Sequence, residues 1–286
     1  MPSLGPTVQR RQLGGELRRL REAAGKKIED TAAELKCSQT RVSRIETGRG
    51  GAVAKPQDVR DMCEFYGVKD DKKIELLLGI LSSSQQRGWW ESFEEALPSG
   101  LEVYVGLETD ARTERAWEPL LIHGLLQTPE YARAVLQATR THRPADIEDL
   151  IRLRLERQQQ VLLREENPLE LWVVMDENAI RRPVGGPEVM REQLLHLREA
   201  ADLPNVTVQV FPFTKPSHPG LGGAFTLLEF EADLPVTYVD CPAGNVYLEK
   251  EREVRRFVSS FDLLRASALD PDESTALIES AAEEMR

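Results

Sequence analysis

The chain has 286 residues, 41% apolar and 30% charged, which excludes a disordered or fibrous protein and implies about two globular domains. Its net charge of −11 argues against nucleic acid until the distribution is read: residues 1–55 carry 12 Lys and Arg against 6 Asp and Glu, a net +6, leaving −17 on the rest. A basic N-terminal module on an acidic body is the pattern of a DNA reader with a separate regulatory domain, and the acidic body confines DNA contact to one end.

Residues 1–12 contain Pro and Arg and read as a mobile arm. Arg10 and Arg11 lie in it within reach of phosphates, and an exposed flexible arm is the other reading. A helix is expected over 13–24, with Leu13, Leu17, Leu20 and Ala24 on one face and Gly25 as its C-terminal stop. Two short helices follow within 28–48. Ile28, Ala32 and Leu35 share one face of the first, and Val42 and Ile45 share one face of the second. Ser38 is placed to cap the second helix and Gly48 to end it. Gln39, Thr40, Arg41, Ser43 and Arg44 then lie on the outer side, and these are side-chain types that read base edges or clamp phosphates. The arrangement is a helix-turn-helix with its recognition helix second.

Beyond a Gly-containing loop at 49–55, Pro56 opens a fourth helix (56–66) with Val59, Met62, Cys63 and Tyr66 inward. A fifth (70–82) has Ile74, Leu77, Leu78 and Leu81 at helical spacing. The polar run Ser82-Ser83-Ser84-Gln85-Gln86 reads as a linker, giving domains 1–84 and 85–286. Trp89 and Trp90 stand at the entry to the second domain, one expected on the domain core and one on a neighbour. Helical patterns continue through 101–117, 128–139 and 147–165; the last is charged through Arg152, Arg154, Arg157 and Arg164 and reads as a helix packed on one face and solvated on the other.

From Leu169 the pattern turns to strands, at 169–175, 206–213, 224–230, 236–239 and 245–248, with a helix over 187–201 between the first two. This β-α-β order permits a parallel pair, followed by a meander. Helices over 249–268 and 271–285 close the chain. The expected fold is therefore multidomain: an all-α five-helix helix-turn-helix domain, then a mixed α/β (α+β) domain of about five strands.

Chemistry beyond DNA binding is not indicated. Cys37, Cys63 and Cys241 are odd in number and far apart, with no CxxC pair, so neither zinc nor a disulfide framework is implied. His123, His142, His196 and His218 show no ligand spacing, and no nucleophile elbow or Walker-type loop occurs. Gly220-Leu221-Gly222-Gly223 precedes a strand, the wrong order for a phosphate cradle, and reads as a turn. Asp176, Glu177, Arg181 and Arg182 at a strand end read as paired surface charges. No enzyme, cofactor or metal is expected. The apolar-rich stretch 74–81 is far too short to span a bilayer and no apolar signal region opens the chain, so a cytoplasmic protein without membrane contact is expected.

The run Ser38, Val42, Ser43, Ile45, Glu46, Gly48 resembles the S-x-x-x-[VIL]-S-x-[IL]-E-x-G pattern of the xenobiotic-response-element family of helix-turn-helix regulators. Two positions depart from that family: Lys36 stands where the turn usually has Gly, and Ile28 where many members have Gln. A side chain at position 36 must then take the left-handed conformation. The segments RGWW, GLLQTPEYA (124–132), RQQ (157–159), DENAIRRPVGG (176–186), NVTVQVFPF and FDLLRASALDPDES are similar to an actinobacterial family of WhiJ-type, antitoxin-like regulators. This second resemblance covers nearly the whole chain and implies a transcriptional regulator whose partner is a small, toxin-like protein encoded beside it. His123 stands where that family commonly has proline.

Together these readings imply a sequence-specific DNA-binding regulator, a repressor or antitoxin-like protein, acting on double-stranded DNA as a homodimer. Gln39, Thr40 and Arg44 are the expected base readers, with Arg41 and Ser43 sharing base or phosphate work; Ser38, Lys27 and Arg49 are the expected phosphate contacts. The alternative is a sensor gated by a small molecule or peptide.

Overall fold

The computed structural model describes residues 5–48, 54–85, 88–93, 95–98, 100–139, 143–215, 217–231, 234–241 and 244–285. They form two compact units, Met1–Ser92 with Gly100–Asp110, and Phe93–Ser99 with Ala111–Arg286. The boundary expected at residue 84 thus falls at the end of a helix within the first unit.

The first unit is all-helical: α1 (Pro6–Ala23), α2 (Ile28–Glu34), α3 (Gln39–Thr47), α4 (Pro56–Phe65), α5 (Asp71–Ser84) and α6 (Leu101–Asp110). Helix α1 packs on α3, α4, α5 and α6. Leu13 and Leu17 of α1, Ile45 of α3, Val59, Met62 and Cys63 of α4, and Leu77 and Leu81 of α5 form its core. Two expectations are corrected here. Residues 6–12 are the start of α1, not an arm. Pro6 sits in the first turn, where no N–H is missed, and the Asp110 carboxylate, a hundred residues later, accepts the Val8 N–H at 3.3 Å. A distant acid caps the helix, so local sequence could not mark its beginning. Helix α6 also joins this unit as a sixth helix. Its Gly106 lies so close to α1 that a Cβ there would stand 2.1 Å from Thr7 Oγ1. Trp90 is buried against Gly88 and Gly106 of the same unit, and Trp89 Nε1 donates to Thr109 Oγ1 at 3.3 Å.

The second unit comprises β1 (Thr113–Glu118), α7 (Pro129–Thr139), α8 (Pro144–Arg157), β2 (Glu170–Asp176), α9 (Glu177–Arg181), α10 (Pro187–Ala200), β3 (Val206–Phe211), β4 (Phe225–Glu229), β5 (Val236–Cys241), β6 (Gly244–Leu248), α11 (Glu251–Ser267) and α12 (Pro271–Glu284). One six-stranded sheet has the order β3-β2-β1-β4-β5-β6. The first three strands are parallel and the rest antiparallel, so the β-α-β pair and the following meander are both present. Helix α11 covers one face, where Trp117, Val174, Phe211 and Leu227 meet Phe261 and Leu264.

The helix expected over 101–117 ends at Asp110, and Thr113–Glu118 is strand β1 at the sheet's centre. Its three charged residues resemble a helix surface, yet tertiary structure brings an opposite charge or a histidine near each. Glu114 is fully buried with Oε1 3.0 Å from His123 Nε2, Arg115 bonds Glu229 at 2.5 Å, and Glu118 lies close to His123 and Arg154. Helix α8 continues past Arg157 as a π turn over Gln158–Leu162, where Leu163 N–H reaches back to the Gln158 carbonyl at 2.9 Å.

Candidate nucleic-acid interface

Three residues set the turn between α2 and α3 and the two ends of α3. Lys36 takes φ +50°, the left-handed conformation its place in the turn demands. Ser38 caps α3, its hydroxyl accepting the Arg41 N–H at 3.2 Å. Gly48 ends α3 at φ +65°, and a Cβ there would stand 2.9 Å from the Arg11 amide nitrogen, so both conformation and packing exclude a side chain. Gly14 of α1 serves the same contact from the other side: a Cβ on it would meet the carbonyl oxygens of Ile45 and Glu46 at 2.4 and 2.6 Å.

Helix α3 is held by its inner face. Val42, Ile45 and Glu46 are buried. Glu46 receives a fork from Arg21 of α1, Nε to Oε1 at 2.6 Å and Nη2 to Oε2 at 2.9 Å, and Arg21 Nη1 also donates to the Lys26 carbonyl at 2.9 Å. Bidentate pairing of two buried charges fixes orientation as well as distance, and removing one partner would strand the other. Thr31 of α2 and Tyr66 after α4 share a buried hydrogen bond of 3.1 Å, and burial pushes the Tyr66 hydroxyl up to about 12.

On the outer face Gln39, Thr40 and Arg44 are exposed, and among the described residues their side chains take no hydrogen bond or ion pair. Their donors and acceptors point to solvent from two successive turns. Ser43 is half-buried beside them. Arg41 behaves differently: its guanidinium is tied to Asp58 of α4 at 2.7 Å. Lys27 is exposed at the start of α2, its Nζ 3.7 Å from Glu29. Ser38 is exposed at the front of α3. Arg49 lies outside the described residues. Of the arm residues, Arg11 is buried and Arg10 half-buried near Glu91 and Asp110, so neither is set out toward a phosphate. The structure therefore gathers Gln39, Thr40, Ser43 and Arg44 at one surface and separates Arg41 from them. The Arg21–Glu46 fork was not read from the sequence, although Glu46 is part of the quoted motif.

In the second unit, the charged cluster and the glycine turn singled out from the sequence serve structure. Asp176 caps α9 through the Asn178 N–H, Glu177 accepts the Phe213 N–H at 2.9 Å, and Arg181 bonds Glu177 at 3.1 Å and Glu284 at 2.5 Å, so this charged group is spent on structure. Gly220 lets the chain approach Trp117, whose Nε1 donates to the Gly220 carbonyl at 2.9 Å. His123 accepts the Leu125 N–H on Nδ1, which leaves Nε2 to donate to Glu114. Glu118 is half-buried, and burial first, with Glu114 and Asp240 nearby, lifts its carboxyl to about 7 against the pull of His123 and Arg154. Among the described residues no group of His, Cys, Asp and Glu is placed to hold a metal ion, and no helix is long and apolar enough to cross a membrane.

Residues 12–77 match a family described as a helix-turn-helix domain, and residues 101–280 match one described as a domain of unknown function (DUF5753). No curated protein and no solved structure matches the chain. The helix-turn-helix match supports a DNA-binding regulator of the xenobiotic-response-element type, as the geometry of α2 and α3 does.

Proposed function

The chain belongs to the family described as a domain of unknown function (DUF5753), carried here behind a helix-turn-helix, and from that premise we propose that it is a sequence-specific transcriptional regulator rather than an enzyme. The observation that carries this reading is the outer face of α3, where Gln39, Thr40 and Arg44 keep their polar atoms free of intramolecular partners among the described residues. A helix entering the major groove presents such side chains to base edges: Gln pairs with adenine, Arg with guanine, the Thr hydroxyl with either, and the Thr methyl packs on the thymine methyl. Ser38 and Lys27 lie where phosphates would flank the helix front. Two copies bind a symmetric operator, because each recognition helix reads one half-site.

The C-terminal unit is the regulatory part. Its likeness to antitoxin-like regulators and its own acidic balance, 20 Lys and Arg against 32 Asp and Glu, a net −12, support a small, basic protein encoded beside this chain as its partner. The test is a gel-shift titration on the DNA upstream of the coding sequence, across a salt series, with and without that neighbour. Specific binding that weakens steeply with salt and changes with the neighbour is expected. Arg44→Ala costs about 1–3 kcal/mol at the cognate site and relaxes preference at one base position. A salt-independent interaction would remove the DNA reading; an indifferent neighbour would remove the protein partner and leave a sensor gated by a small molecule or peptide.

A further inference from the structure

Arg41 stands in the first turn of α3, between the exposed Thr40 and the buried Val42, on the helix that faces DNA in the reading above. Its guanidinium is already engaged. Nη2 donates to Asp58 Oδ2 at 2.7 Å and Nη1 to Oδ1 at 3.4 Å. The same Oδ2 accepts the backbone N–H of Lys55 at 2.7 Å, closing the N-terminus of α4. One carboxylate, its side chain 15% exposed, therefore caps α4 and grips α3 across 17 positions of sequence. A two-pronged pair that is largely shielded from water escapes much of the salt screening that weakens surface pairs, and it fixes the angle between its partners.

We infer that Arg41 is a positioning residue and not a reader of DNA. Its bridge to Asp58 locks the front of α3 against the start of α4, which sets the angle at which Gln39, Thr40 and Arg44 meet base edges. Specificity at the helix front thus depends on a side chain that touches no base. This inference rests on α3 being the recognition helix.

The full-length wild type is compared with Arg41→Ala, Asp58→Asn and the double variant. Asparagine keeps an acceptor for the Lys55 N–H, so the cap of α4 survives while the charge holding Arg41 is lost. Affinity is measured for the cognate operator and for an unrelated duplex across a salt series, with thermal melting of each protein alongside. Each single variant is expected to lose roughly five- to tenfold at the operator and to narrow the gap to the unrelated duplex. The slope of log affinity against log salt stays at the wild-type value, and the double variant is no worse than either single one. The opposite pattern overturns the inference: if Arg41 contacts phosphate, Arg41→Ala reduces that slope by about 0.9 and Asp58→Asn, by freeing the arginine, tightens binding to both duplexes. Unchanged affinity in both single variants also overturns it, the bridge then being an inconsequential ion pair. Wild-type binding to the operator in the same titration separates these outcomes from failure of the recognition-helix reading, which would show as no preference in any of the four proteins.

Discussion

Adjacent glycines in α1 offer a matched pair of perturbations. Gly14 is buried against the last turn of α3, and its missing Cβ would lie 2.4 Å from the Ile45 carbonyl oxygen and 2.6 Å from that of Glu46. Both atoms belong to backbone held by helical hydrogen bonds, so neither swings aside. Relieving the clash requires α1 and α3 to part by about 1 Å, and overpacking of this kind costs about 1–3 kcal/mol. Gly15 is exposed, with nothing within 4 Å of its missing Cβ. Alanine at either position gains the same helix propensity, about 1 kcal/mol. That gain cancels when Gly14→Ala is compared with Gly15→Ala, and the gap between the two variants, about 1–3 kcal/mol, isolates the helix contact. Since a domain of this size shifts its midpoint by about 4–8 °C per kcal/mol, the gap is easily read. Amide hydrogen exchange, followed in urea on peptides from α1, α3 and α5, reports this unit apart from the second. Gly15→Ala should raise protection and Gly14→Ala lower it relative to Gly15→Ala by the stated gap. Equal protection in the two variants would refute the close approach of α1 to α3.

Two further outcomes are expected. Glu118 has its carboxyl lifted from 4.5 to about 7, so it favours the folded state fully below about pH 4.5, and that contribution is lost as pH rises through 7. At about 1.4 kcal/mol per unit, reduced for partial exposure, Glu118→Gln should be steadier than wild type by on the order of 2 kcal/mol at pH 8 relative to their difference at pH 4.5; urea midpoints at the two pH values that move in parallel would contradict this. Lys36→Gly relieves a left-handed backbone that disfavours a Cβ but adds freedom to the unfolded chain, for a net gain of up to about 1 kcal/mol by urea denaturation, and a loss of stability would show that the lysine side chain itself matters.

The recognition unit was legible because its signals are local. Ser38, Lys36 and Gly48 mark the turn and the ends of α3 within a dozen residues, and Val42 and Ile45 state which side is buried. What escaped was set by distant partners. Arg41 looked like a reader from its place on the helix, and only the fold brings Asp58 to it. The start of α1 depends on Asp110. Strand β1 carries Glu114, Arg115 and Glu118, and charges at a sheet centre make sense only once His123 and Glu229 stand beside them. The five remaining strands, rich in β-branched and aromatic residues, needed no such help.

The position of β1 has a consequence for synthesis. Thr113 pairs with Glu170 on one side and Glu229 on the other, so the strand at the middle of the sheet is translated first but has both neighbours only once β4 is made. At roughly 5–20 residues per second, a ribosome takes on the order of 6–25 s to deliver β4 after β1. The contacts of the first unit, in contrast, close at Asp110. A growing chain therefore holds every residue of its helix-turn-helix unit while the second unit still lacks a sheet, and a message truncated in that interval would yield a DNA-binding unit without the domain proposed to regulate it.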